Sequence, residues 1–325
     1  MFGRILVGLV SVLGLACQGT APLPRKAVEL NNHGVEALAK GDLDVASARF
    51  QLALEYHPHF VDALTNQGLV ELQRGNFAQA RELLERARRL NPHVAQPHHA
   101  LGVLAERSQR ADLASEHYRA ALRVDPGFAP SRANLARLLF NAGMMEDARE
   151  QYLRLVEVSP GDASGYQGLA ESLLRLGRLE EADAVLARGL GRVPNSPELR
   201  VLEGRRFIRG GQYERAVSNL APLVTGNDGP AVSALSWTAV AQLALGELRE
   251  ARAASLRAVE LDPFDPVAVY TLALVLTRLR DPVAGTWAER ARRLFAHDLP
   301  ALQALELART AAAGERENKK RKSAH

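Results

Sequence analysis

A single cysteine, Cys17, stands in the 325-residue chain, so it can form no internal disulfide and offers no cysteine-based metal site. Aromatic residues make up 5%, which leaves alanine and leucine to build the interior and suits helix-on-helix packing. Lysine is missing between Lys40 and Lys319, where arginine carries the positive charge, a compositional bias rather than a chemical signal. The apolar run Ile5 to Leu15 is eleven residues, whereas a membrane-spanning helix takes about 20. Also missing are the G-x-S-x-G elbow, the G-x-x-x-x-G-K-[ST] loop, the H-E-x-x-H pair and the G-x-G-x-x-G turn. Nothing in the chain therefore points to catalysis, to a cofactor or to a small-molecule substrate.

Two groups of polar residues have ordinary explanations. His57, His59, His93, His98 and His99 lie close in sequence. His59 and His93 hold equivalent places with two helices between them, roughly 16–20 Å apart, too far to share a metal ion. Adjacent His98 and His99 point to different sides of one helix. The pairs Glu146-Asp147 and Glu180-Glu181 open helices, where negative charge complements the positive terminus. The net charge of +4 gathers at the end, where five basic residues face two acidic ones between Glu315 and Lys322. A remainder that is close to neutral has no reason to attract nucleic acid along its length.

What the chain has in abundance is repetition. Pro58, Pro92, Pro126, Pro160 and Pro194 recur every 34 residues. Gly34, Gly68, Gly102, Ala136 and Ala170 recur in step, as do Ala46, Ala80, Ala114, Ala148 and Ala182. Within Val61 to Val94, Leu64, Gly68, Leu69 and Leu72 lie on one side of a first helix, which Gly75 and Asn76 break. Ala80, Leu83, Leu84, Ala87 and Leu90 then stripe a second helix, which Asn91-Pro92 stops. Small residues are needed where neighbouring helices approach to about 8–10 Å.

This helix-turn-helix grammar resembles the tetratricopeptide repeat. The resemblance implies an all-α, right-handed superhelical solenoid of about eight units over residues 27–313, closed by a capping helix from Ala301 to Ala313. The five regular repeats run about 27–60, 61–94, 95–128, 129–162 and 163–196. In the sixth, Thr225 to Pro230 replaces the closing proline with a longer turn. A seventh covers about 232–265. The eighth covers about 266–298, with Asp281-Pro282 starting its second helix. Gly314 to His325 reads as a disordered basic tail.

The first sixteen residues read as an export signal, followed by a tether over 17–26. Leu13-Gly14-Leu15-Ala16-Cys17 resembles a bacterial lipobox, with Gly14 where the family prefers leucine. By that resemblance Cys17 carries lipid and fixes the mature protein to the periplasmic face of the outer membrane. The alternative is a plain secretory signal and a soluble periplasmic or secreted product.

In this repeat family the first helices line an inner face that binds protein segments. Carrying repeat positions across, the expected partner-binding residues are Asn31, Thr65, Leu69, His99, Val103, Arg137, Phe140, Gln167, Glu171, Arg205 and Tyr270. Phe140 and Tyr270 are the expected anchors, with Arg137 and Arg205 supplying charged hydrogen bonds. The chaperone-clamp subtype is poorly matched, since of Asn31, Val35, Asn66, Gln96 and Ala100 only Asn66 fits. The resulting expectation is a non-enzymatic envelope scaffold with protein partners, similar to the lipoproteins that assist assembly of the type IV pilus secretin. A scaffold for secretion, gliding motility or wall remodelling, and a regulatory subunit of an envelope enzyme, are the alternatives.

Overall fold

The computed structural model describes residues 22–295, and these form two compact units divided after Pro126. Among the described residues there are sixteen helices and no strand. The first unit is three hairpins: α1 (Arg25–Ala39) with α2 (Leu43–Tyr56), α3 (Val61–Gln73) with α4 (Phe77–Leu90), and α5 (Ala95–Arg107) with α6 (Ala111–Val124). The second unit is five. These are α7 (Ala129–Asn141) with α8 (Met145–Val158), α9 (Ala163–Arg175) with α10 (Leu179–Arg192), and α11 (Pro197–Arg209) with α12 (Tyr213–Leu220). After them come α13 (Gly229–Leu245) with α14 (Leu248–Leu261), and α15 (Pro266–Leu279) with α16 (Ala284–Phe295).

Each hairpin closes on the same turn. Asn76 N–H donates to the Glu71 carbonyl at 2.8 Å and Gly75 N–H to Leu72, the pattern of a helix ended by one left-handed residue. Gly75 takes φ +82° there, which costs glycine nothing. Gln109 and Arg280 hold the same place in their turns at φ +57°, without that freedom.

Within each hairpin of the first unit the glycine of the first helix receives a large side chain from the second. A Cβ on Gly34 would lie 2.5 Å from the Phe50 ring, one on Gly68 2.7 Å from Leu84, and one on Gly102 2.5 Å from Tyr118. These three large side chains are fully buried, each worth about 2 kcal/mol of transfer free energy. The first helix of one hairpin also packs beside the first helix of the next, so within a unit the core runs on from hairpin to hairpin.

Four boundaries differ from expectation. α1 begins at Arg25 rather than Ala27, because Pro24 fits just ahead of a first turn, where a missing amide costs nothing. α13 begins at Gly229, inside the expected turn, since the Asp228 carboxylate accepts from Ala231 N–H and Pro230 is set in the first turn. α12 is only eight residues long, and the connection after it takes up the difference. Pro282 lies in the turn before α16, while Asp281 accepts from Val283 N–H at 3.1 Å. The export signal, Cys17, the capping helix Ala301 to Ala313 and the basic tail lie outside the described residues.

Candidate partner-binding surface

In the first unit, the expected row is partly consumed by the fold. Asn31 is 7% exposed and its Oδ1 accepts from Asn66 Nδ2 at 3.0 Å. Thr65 is 3% exposed and its hydroxyl donates to the Val61 carbonyl at 2.8 Å. Both belong to the interior, which corrects their placement on a binding face. Neighbouring first helices cover that side, and a buried polar group is stable only when hydrogen-bonded. Leu69 and Val103 are half-buried against the core around Leu72 and Leu101. The His99 ring lies 5.5 Å from that of Tyr118, whose hydroxyl donates to Glu106 at 2.5 Å. Burial pushes the His99 imidazole down to about 4, against the opposing pull of Glu106.

The second unit brings several expected residues together. Phe140 on α7 lies under the Arg175 guanidinium of α9, 5.0 Å from ring centroid to Cζ. One turn back on α9, Glu171 pairs with Arg205 of α11 at 3.6 Å. Arg205 also lies 5.0 Å over the Trp237 ring of α13. Burial holds the Arg205 guanidinium below the usual arginine range; Glu171 opposes this, while Arg209 and Arg175 add to it. Arginine remains charged in any protein setting, so the stripe is cationic. Burial pushes the Tyr152 hydroxyl up to about 12, reinforced by Glu171 and opposed by Arg137. Arg137, Tyr152, Glu171, Arg175, Arg205, Arg209 and Trp237 thus share one electrostatic neighbourhood. Gln167 is half-buried on the same helix as Glu171, and Tyr270 is half-buried against the core around Leu272 and Leu276.

Sequence reasoning missed Arg175, Arg209 and Trp237. Their register was available. Arg175 and Arg209 stand five residues after the small residues Ala170 and Gly204, and Trp237 stands two before Ala239. Arg209 also lines a crevice of about 200 Å³ with Leu174, Asp183, Arg206, Phe207 and Gln212, where Asp183 and Arg206 pair at 3.3 Å.

A carboxylate such as Glu71, 2% exposed, can look catalytic in a list of buried groups. It accepts from Gln67 at 2.9 Å, Arg74 at 3.1 Å and Asn76 at 2.8 Å, which accounts for it structurally. Among the described residues no group of three or more His, Cys, Asp or Glu is placed to hold a metal, and no helix is long and apolar enough to cross a membrane.

No curated protein matches the chain. Among solved structures, it is similar to a chain of the APC/C hetero-tetramer Cut9–Hcn1, with TM-score 0.60 and 17% identity over 86% of this chain. It spans 55% of that chain's length. It is also similar to pilF of Pseudomonas aeruginosa, with TM-score 0.55 and 23% identity over 64% of this chain and 94% of that one. PilW, a type IV pilus biogenesis factor, gives TM-score 0.54 and 18% identity over 64% and 97%. At these identities the likeness is one of fold. Tetratricopeptide repeat models match residues 31–95, 65–129 and 201–266, with a second such model over 105–169. The register of small residues, the hairpin turn shared by every pair and these matches together place the chain in the tetratricopeptide repeat family.

Proposed function

We propose that the chain is a non-enzymatic scaffold, anchored by lipid on Cys17 to the periplasmic face of a bacterial outer membrane, where it assists assembly of a cell-envelope complex. The partner lies along the first-helix face of the second unit. One observation carries this: Phe140 and Trp237 each lie under an arginine, and Glu171 ties the helices between them. Arginines held against aromatic rings keep their geometry without a partner, so less side-chain entropy is lost when one binds. Arginine and tryptophan are also the residues that dominate interface energies. Four arginines, Arg137, Arg175, Arg205 and Arg209, against Glu171 favour a partner segment carrying carboxylates.

Type IV pilus secretin assembly is the first candidate, supported by the lipobox-like run before Cys17 and by a fold shared with pilF and PilW. The test is a crosslinked pull-down from membranes. Recovery of an outer-membrane secretin, lost with Arg137→Glu and Phe140→Ala together, supports the assignment. Recovery of a hydrolase instead moves the chain to a regulatory subunit. Palmitate incorporation lost on Cys17→Ser separates a lipoprotein from a secreted protein.

A further inference from the structure

The outward side of α2 breaks the pattern of the array. Val45 is 50% exposed, Leu52 36% and Tyr56 52%, with exposed Ala48 between them. Their spacing puts all four on one stripe of the helix, about 16 Å long at 1.5 Å per residue. The same register in α4 reads Gln79, Glu82, Arg86, Leu90, in α6 Leu113, Glu116, Ala120, Val124, and in α8 Asp147, Glu150, Arg154, Val158. In α10 it reads Glu181, Ala184, Arg188, Arg192, and in α14 Glu250, Ala253, Arg257, Leu261. Each of these helices carries at least one charge in the register, whereas α2 carries none. α16 also lacks charge there, but its Ala284, Trp287 and Ala291 pack on the core. The strip on α2 is therefore the one left in water among the described residues.

We infer that this stripe on α2 rests on the lipid leaflet that holds the anchor. The inference builds on the lipidation of Cys17 proposed above. Cys17 is eight residues before Arg25, the first residue of α1. A chain that short reaches at most roughly 28 Å, so Arg25, where the first hairpin begins, is held within that distance of the surface. From Arg25 to Tyr56, Arg25, Lys26, Lys40 and Arg49 are balanced by Glu29, Glu36, Asp42, Asp44 and Glu55. Attraction to anionic headgroups therefore does not carry the contact. Burial of the valine, leucine and tyrosine side chains at the headgroup boundary does, and tyrosine is suited to that depth by its apolar ring and polar tip. A stripe of this size is too small to hold a soluble protein on a membrane or to support a stable dimer, but it suffices to orient a protein that acyl chains already hold.

The test uses the full chain extracted from membranes, in which a lipidated Cys17 has no free thiol and a second cysteine is the sole labelling site. Val45→Cys is compared with Gln79→Cys, its counterpart one repeat later, each carrying an environment-sensitive fluorophore. Both proteins are placed in phosphatidylcholine vesicles containing a shallow spin-labelled lipid. The expected result is a blue-shifted probe at 45 quenched about threefold more than the probe at 79, unchanged by anionic lipid or by salt. Equal quenching at both positions overturns the inference. A blue-shifted but unquenched probe at 45 also overturns it, since a second copy or the chain's own remaining residues then cover the stripe. The intact mass reads the anchor independently. A protein without acyl chains removes the lipidation reading and this inference with it, whereas acyl chains with equal quenching remove only the inference.

Discussion

Gln109 occupies a backbone position that six other hairpin turns give to glycine, at φ +57°. A side chain in the left-handed region costs about 1–2 kcal/mol, partly offset because glycine is freer in the unfolded chain. Gln109→Gly is therefore expected to stabilise the first unit by up to about 1 kcal/mol, read as a rise in urea midpoint with unchanged slope. Gly143→Gln at the equivalent turn of the second unit should lower that unit's midpoint. His99 sets a second expectation. Burial holds its imidazole neutral in the fold, so the unfolded chain takes up a proton that the folded one resists. Stability is thus complete above pH 6.5 and falls as pH drops from there toward about 4. By pH 4.5 the loss is about 2 kcal/mol. Denaturation at pH 7 and pH 4.5 should show a smaller drop in His99→Gln than in the parent; equal drops would remove the assignment.

Helices in this chain are held to their neighbours through the turns as well as through the core. Arg86 of α4 donates to the Pro58 carbonyl at 2.9 Å, and Arg257 of α14, in the same register, donates to Thr225 at 3.2 Å. The second bond matters more, because α12 stops at Leu220 and the connection to Asp228 is long. Arg257→Ala should cost about 1 kcal/mol and speed amide exchange over residues 221–228, with little change in α7 to α10. The period of 34 and the recurring small residues made these helices legible in advance, since both recur with the hairpin. The α13 start was not legible. Gly229-Pro230 reads equally as a turn or as a helix opening, and only the Asp228 cap decides between them.

For the whole molecule, the proposed partner contact is drawn on the second unit, where Phe140, Glu171 and Arg205 each meet a side chain of a neighbouring hairpin. Arg205→Ala or Trp237→Ala should each reduce crosslinked partner recovery at least about tenfold, while Val103→Ala in the first unit leaves it unchanged. Because four arginines carry the stripe, recovery should also fall as salt rises from about 50 to 500 mM, where screening shortens the reach of exposed charges. Recovery indifferent to salt would point to an apolar contact elsewhere. How much of this surface was readable depends on the residue. Repeat register alone put Phe140, Glu171 and Arg205 in the expected row, and the structure gives each a contact to a neighbouring hairpin. Asn31 and Thr65 followed from the same register and were misplaced, because a first helix turns one side to its neighbour and the period does not say where that side ends.

The order of residues by itself determined the repeat, its 34-residue length, the small residues at helix contacts and the family. These are local or periodic properties, written again in each hairpin. Only the tertiary structure decided that Arg175 stacks on Phe140, that Arg205 bridges Glu171 and Trp237, and that Asn31 binds Asn66. Each of those contacts joins side chains on different hairpins, and the crossing of one helix on the next sets their distance.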